Sequence, residues 1–315
     1  MAHVAIIGAG RVGQALAYTL MFEPYVSELS LVDIAPRVAK MAMEELYHGL
    51  SAHNLDVEIR AYESSKFVED ADLIIISAGY PRKPGMSRRD LADENAKIIK
   101  EIMENTLDNN PRAWYFVITN PVDALTTLAY KISEGKRKII GTGTNLETAR
   151  FRTILSRHLE VPLKSIEGYV GGEHGEAAVL LWSTVKVNGA PLDEYLKETG
   201  ISIDKVAIEK YVKGISMEVI KVLGGTRWGP AGSFLEIIRG IMLNTGRIIS
   251  FALPRKFNEI PEPVYVTVPG KIGRSLGPDL WNILTEEERD GIKKAAVEIY
   301  KTYLRALKVT GLCEK

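Results

Sequence analysis

"HVAIIGAGRVG", residues 3–13, decides how the chain begins to fold. Its first part, residues 3–8, is short, apolar and rich in Val and Ile, the pattern of a strand buried on both faces. Its second part sets Gly8, Gly10 and Gly13 in G-x-G-x-x-G register. A glycine triplet alone is a weak signal, because glycine serves any tight turn. Here it leaves a strand and opens 11–22, a segment of helical spacing. Asp33 then closes the next strand-like run, "LSLVD" (29–33), at about the 20-residue distance that a dinucleotide fingerprint needs.

Each residue of that turn has a physical task. Gly8 permits the tight turn, Gly10 lets a pyrophosphate approach the backbone, and Gly13 lets helix and sheet pack closely. The N–H groups at the helix start, at Arg11 and Val12, offer phosphate the positive end of the helix dipole. Asp33 can accept hydrogen bonds from both adenine-ribose hydroxyls and would repel a 2′-phosphate. NAD is therefore favoured over NADP, although Arg37 is close enough in sequence to leave NADP open. The plain alternative is a strand–turn–helix without ligand, with Asp33 as a helix cap.

Working outward, "VEIRA" (57–61), "LIIIS" (73–77), "WYFVIT" (114–119) and "RKII" (137–140) read as further strands, and 37–50 and 88–107 as helices. This alternation predicts an α/β fold with a doubly wound parallel sheet of the Rossmann type. After about Thr142 the texture changes. The spacing predicts a helix over 145–158, mixed strands in "SIEGYVGG" and "AVLLWSTVKVNG", and helices over 202–222 and 231–250. It also predicts a hairpin in "PVYVTVPGKIG" (263–273) and an amphipathic helix over 285–307. Thr285 and Glu288 open that last helix as a capping box. Two domains are expected: 1–142, binding the dinucleotide, and 143–315, a mixed α+β substrate domain.

Forty basic residues balance forty acidic ones, so the chain lacks the broad positive field of a nucleic-acid binder, and anion recognition must be local. No apolar run approaches the ~20 residues of a membrane span, and a strand starting at His3 leaves no room for a cleavable leader. The lone cysteine, Cys313, can form no internal disulfide and lies outside any metal-ligand spacing. A cytoplasmic protein without a metal centre is expected. Positive charge nevertheless gathers in "YPRKPGMSRRDL" (80–91), with Arg82, Lys83, Arg88 and Arg89. Such a loop is either merely solvated or built to close over a small dianion.

His174 lies in "VGGEHGEAAV" between Gly171, Gly172 and Gly175. A histidine titrating near neutrality is a natural proton donor and acceptor, but it needs a partner to fix its tautomer. Glu147 and Arg150, in "GTGTNLETAR", stand at i and i+3 of a helix and so share a face. Glu147 could support the histidine while Arg150 meets an anionic substrate. The plain readings are a hydrogen-bonded structural histidine and an interface arginine. His3, His48, His53 and His158 have no comparable surroundings.

Together these segments resemble the lactate/malate dehydrogenase family. The matches are "GAGRVG", Asp33, "AGYPRKPGMSRRDL", "NPVD" (120–123), "TNLETARFR" (144–152), "GGEHG" (171–175) and "TRWGPA" (226–231), in the family's order over essentially the whole chain. The resemblance implies that His174 is the acid/base and Arg150 the grip on the substrate C1 carboxylate. It further implies that Arg88 polarises the reacting carbonyl and that Asn120 contacts substrate beside the nicotinamide. Asn95 and the backbone around Ile118 match NAD contacts, and Thr226 lines the substrate pocket. The family usually has aspartate where this chain has Glu147.

Arg82 is where the family divides: lactate enzymes typically carry glutamine there and malate enzymes arginine. The second carboxylate of malate or oxaloacetate, buried unpaired, would cost several kcal/mol that a bidentate arginine offsets. "GEHG" and "LWS" resemble the lactate-like branch, whose malate dehydrogenases are commonly homotetramers, with a dimer as the alternative. The resemblance thus implies reversible hydride transfer between NAD(H) and malate/oxaloacetate, in the tricarboxylic acid cycle. The rivals are a lactate or other 2-hydroxy-acid dehydrogenase, an NAD-dependent glycosidase holding a metal through cysteine and histidine, and a non-catalytic dinucleotide sensor.

Overall fold

Short strands, most of them buried on both faces, build the first of two units. The computed structural model describes residues 1–35, 37–80 and 88–313, without the side chains of Arg88 and Arg89. Strands β1 (Ala2–Ile7), β2 (Val26–Val32), β3 (Glu58–Tyr62), β4 (Leu73–Ile76), β5 (Trp114–Val117) and β6 (Lys138–Gly141) lie in the order β3-β2-β1-β4-β5-β6. All neighbours are parallel, with Val4 opposite Leu73 and Ile7 opposite Ile76. Parallel neighbours need crossovers. Helices α1 (Arg11–Leu20), α2 (Val38–His53), α3 (Arg88–Thr106) and α4 (Val122–Ile132) supply them. Strand order reverses between β1 and β4, and open α/β sheets bind ligands outside the carboxyl ends of strands at such a switch point.

The second unit is mixed. Its helices are α5 (Asn145–Leu159), α6 (Leu192–Thr199), α7 (Lys205–Leu223), α8 (Trp228–Met242) and the start of α9 (Glu286–Thr310). Strands β7 (Ile166–Gly172), β8 (Ala178–Val187), β9 (Ala190–Pro191), β11 (Ala252–Arg255) and β12 (Val264–Thr267) run antiparallel in the order β11-β12-β7-β8-β9. Two short strands, β10 (Ile248–Ile249) and β13 (Gly270–Lys271), pair with each other. Phe151 and Leu155 of α5 pack with Val170, Leu180, Ile208 and Val212 in one core. The compact units are Met1–Gly141 with Tyr300–Lys315, and Thr142–Ile299. The last turns of α9 therefore belong with the first unit, where Arg305 makes two 2.6 Å hydrogen bonds to the Asp93 carboxylate of α3.

Several local expectations need correction. The helix expected over 231–250 spans Trp228–Met242. Asn244 (φ 52°) and Gly246 (φ 63°) turn the chain out of it, and Pro230 is tolerated because a first-turn residue needs no intrahelical N–H bond. Residues 263–273 do not form a hairpin: Val264–Thr267 pairs with β11, while Gly270–Lys271 pairs with β10. The helix expected over 202–222 starts at Lys205, where Asp204 caps it by accepting from the Ala207 N–H at 3.0 Å. Helices α4 and α6 were not expected at all. Among the described residues no helix is long and apolar enough to cross a membrane.

Candidate active site

In the second unit, α5 and the turn between β7 and β8 bring His174, Glu147 and Arg150 together. His174 Nδ1 lies 3.1 Å from Glu147 Oε2, and Arg150 donates to Glu147 Oε1 at 3.4 Å. Side-chain exposures of 2% for Glu147, 14% for Arg150 and 21% for His174 make this a buried carboxylate with two partners nearer the surface. Burial alone would raise the Glu147 carboxyl. The His174 charge and hydrogen bond, with the Arg150 guanidinium, outweigh it and hold the group below the usual carboxylate range. Burial in turn lowers Arg150, against the pull of Glu147. The extra methylene of glutamate over aspartate is absorbed, since the carboxylate reaches the ring. Gly172 (φ 83°) and Gly175 (φ 117°) give the histidine turn backbone angles that side chains resist.

Two threonines absent from the expected site hold this arrangement. On the edge of β7, Thr144 Oγ1 donates to the Val170 carbonyl at 2.6 Å, and Thr148 Oγ1 accepts from the Val170 N–H at 3.0 Å. Thr148 also donates to Ser250 Oγ at 2.9 Å. The pair stands one helical turn apart and brackets Glu147, so the groups that fix α5 against β7 also fix the carboxylate against the histidine. The i, i+4 spacing in "TNLET" was the available signal. It was unreadable without knowing that a strand edge faces the helix. Thr226 and Arg150 both line a cavity of about 420 Å³ with Leu146, Val219, Leu223 and Trp228.

In the first unit the glycine turn follows β1. A Cβ on Gly8 would fall 2.4 Å from Ala78 N, and one on Gly13 would fall 2.0 Å from Gly8 O. At Gly10 a Cβ would meet nothing within 4 Å, and Gly10 caps α1 without a side-chain hydrogen bond. The backbone at Arg11 and Val12 therefore opens the helix beside free space, as a pyrophosphate requires. Asp33, directly after β2, accepts from the N–H groups of Ala9 (3.0 Å) and Ala35 (2.9 Å). Each carboxylate oxygen keeps a lone pair for a ribose hydroxyl. Gly8, Gly10 and Asp33 line one cavity of about 190 Å³ with Ile34, Ser77 and Ile98. These residues fit a dinucleotide.

Ile118, just past β5, is anchored through its N–H to Ile76 O at 2.8 Å, and Asn120 is exposed. Asn95 is buried, and both heteroatoms of its amide meet backbone groups. Arg82 and Lys83, and the side chains of Arg88 and Arg89, lie outside the described residues.

Comparison with known proteins gives the chain a family. Residues 2–141 match the model of the lactate/malate dehydrogenase NAD-binding domain, and 144–307 match the alpha/beta C-terminal domain of the same family. The chain belongs to the lactate/malate dehydrogenase family. It is an NAD-dependent oxidoreductase of that family. Malate dehydrogenase of Sulfolobus acidocaldarius is 40% identical over 308 residues, covering 98% of each chain. L-lactate dehydrogenase of Thermus aquaticus is 33% identical, covering 96% of this chain and 99% of that one. Among solved structures, the minor L-lactate dehydrogenase of Enterococcus mundtii superposes with a TM-score of 0.88 at 28% identity, covering 96% of this chain and 97% of that one. Malate dehydrogenase from Plasmodium falciparum, at 24% identity and a TM-score of 0.89, covers 98% of this chain and 100% of that one and shares the fold.

Proposed function

We propose that this family member is a malate dehydrogenase, interconverting malate and oxaloacetate with NAD(H). The observation that carries the reading is the buried Glu147 carboxylate, 3.1 Å from His174 Nδ1 and ion-paired to Arg150. An ionised carboxylate only accepts, so it holds the imidazole with a proton on Nδ1 and leaves Nε2 to exchange the proton of the reaction. Arg150 is read as the grip on the C1 carboxylate and Thr226 as part of the same pocket wall. Arg82 is read as the partner of the second carboxylate, Arg88 as the group that polarises the carbonyl, and Asn120 as a further substrate contact.

When bound, NAD(H) accepts or supplies the hydride. Gly8, Gly10, Arg11, Val12, Gly13, Asp33, Asn95, Ile118 and Asn120 are read as its holders. In the reduction of oxaloacetate, His174⁺ gives the Nε2 proton to the carbonyl oxygen; in malate oxidation, neutral His174 takes it back. Glu147 stabilises the charged imidazole without giving up its own negative charge. Residues 1–142 and 143–315 are read as the dinucleotide and substrate domains, with the last turns of α9, from Tyr300, belonging to the first unit. A homotetramer (a dimer being the alternative), a cytoplasmic location and a place in the tricarboxylic acid cycle belong to the same reading. They rest on the lactate-like branch resemblance and the single cysteine, and a mass measurement in solution tests the first.

The malate relative at 40% identity and Arg82 favour oxaloacetate; the lactate relative at 33% supplies the second reading, a lactate dehydrogenase. A steady-state assay of oxaloacetate against pyruvate with NADH decides between them, run on the wild type and on His174→Asn. Oxaloacetate should be strongly preferred, and the variant should lose turnover in both directions while still binding NADH. A preference for pyruvate would establish the lactate reading; near-normal turnover by the variant would remove His174 from the chemistry.

A further inference from the structure

One face of α3 lines the cavity beside the glycine turn, and it carries a carboxylate that the fold does not use. Ile98, Glu101 and Ile102 stand at i, i+3 and i+4, so they share that face. All three line the cavity with Gly10, Asp33 and Ile34. Ile102 is buried, while Glu101 is exposed. Among the described residues Glu101 makes no hydrogen bond or ion pair. Lys97, one turn earlier, donates to Glu94 at 2.7 Å, and Lys100 donates to the Thr310 carbonyl at 3.1 Å. A solvated glutamate is ordinary on a helix surface, but this one borders a ligand cavity.

The serines of the same lining are occupied. Ser77 Oγ donates to the Gly8 carbonyl at 2.8 Å, Ser65 Oγ accepts from Asn105 Nδ2 at 3.1 Å, and Ser64 Oγ accepts from the Lys66 N–H at 3.5 Å. Asp33 is the acceptor for the ribose. Ile34, which follows it, is 84% exposed, and a flat ring laid against it would take that apolar surface out of water. With pyrophosphate at Gly10 and ribose at Asp33, the next group along the dinucleotide is the adenine. The part of the cavity left for it is bounded by Ile34, Ile98, Glu101 and Ile102.

We infer that Glu101 reads the adenine: its carboxylate accepts from the 6-amino group and selects adenine over a base with a carbonyl in that place. An ionised carboxylate only accepts. The amino group donates to it, whereas a carbonyl would set acceptor against acceptor. Glu101 is exposed, so water serves both groups when they fail to pair, and the discrimination is modest. The inference rests on the reading of this cavity as the dinucleotide site.

Fluorescence titration of the whole protein with NADH and with its hypoxanthine analogue, reduced deamino-NAD, tests it. Wild type should bind NADH at least about fivefold more tightly than the analogue. Glu101→Gln has an amide that can turn to offer either a donor or an acceptor, and it should narrow the ratio of the two Kd values to less than about twofold. Glu101→Lys, which only donates, should erase the preference or reverse it. A lysine attracts both anionic cofactors alike, so the ratio cancels that effect. Both replacements are good helix formers at an exposed position, which keeps the fold. Asp33→Asn locates the dinucleotide and should weaken both ligands by a similar factor.

Equal binding of the two cofactors by wild type would overturn the inference. So would a preference that survives in both Glu101 variants while Asp33→Asn weakens both ligands. Unchanged Kd values for both ligands in Asp33→Asn would instead remove the dinucleotide from this cavity, and the inference with it.

Discussion

At the scale of single residues, the proposed chemistry rests on how Glu147 stays ionised while almost fully buried. Its folded-state pKa is depressed, so it adds stability above the ordinary glutamate value of about 4.3 and loses that contribution as pH falls through the folded value. Glu147→Gln removes the charge but keeps the shape. Wild type should therefore lead the variant in urea-denaturation midpoint near pH ~7, and the lead should shrink on acidification below about pH 4. A lead that does not change with pH would mean that Glu147 is not the ionised partner. The same variant should lose on the order of 100-fold or more in kcat, because nothing then stabilises the charged imidazole. Arg82→Gln tests the other decisive residue. It removes a guanidinium, so relative activity on pyruvate should rise and oxaloacetate kcat/KM fall by orders of magnitude, about 10³-fold or more, if the distal carboxylate was its partner. His174, Glu147 and Arg150 were available in the sequence only as candidates, because a histidine between glycines and an i, i+3 acid–base pair are local patterns that structural residues share, and their roles came from the family resemblance. That they meet is not local: His174 lies 27 positions from Glu147 along the chain.

At the scale of elements, the site depends on a helix bonded to a strand edge. Thr148→Val keeps the side-chain shape but leaves the buried Val170 N–H without its acceptor, which should cost about 1–3 kcal/mol of stability. Thr148→Ser should recover most of it. Equal denaturation midpoints for all three proteins would show that water serves Val170 equally well. The parallel strands were legible because double burial forces continuous apolar runs. Helix α4 was missed although Asp123, Thr126, Thr127 and Lys131 stand at helical spacing; the polar Asp123, Thr126 and Thr127 are themselves buried, and only tertiary contacts show that. Residues 263–273 misled for a related reason. Two apolar strands around a Pro-Gly turn look like a hairpin, and only the neighbouring β10 and β11 decide which partners they take.

At the scale of the whole molecule, ligand binding should report on the assembled glycine turn. Saturating NADH at about 100 times its Kd should stabilise the fold by about 2.7 kcal/mol, seen as a rise in thermal midpoint. Gly13→Ala, which drives a Cβ to 2.0 Å from Gly8 O, should lower the midpoint and abolish most of that protection. Full NADH protection in this variant would mean that the dinucleotide sits elsewhere. The neutral net charge and the local basic segment are bulk properties that composition reports directly. The return of Tyr300–Lys315 to the first unit is not, since only contacts made far along the chain define it.

The sequence by itself determined the strand–turn–helix, the acid at Asp33 and the residue types of the proposed proton-transfer site. These follow from burial, turn sterics and charge acting over a few residues. Tertiary structure alone decided that Thr144 and Thr148 bracket Glu147 on a strand edge and that Asn95 clasps two backbone segments. A hydrogen bond between distant parts of the chain leaves no periodic mark, because its partner is chosen by packing.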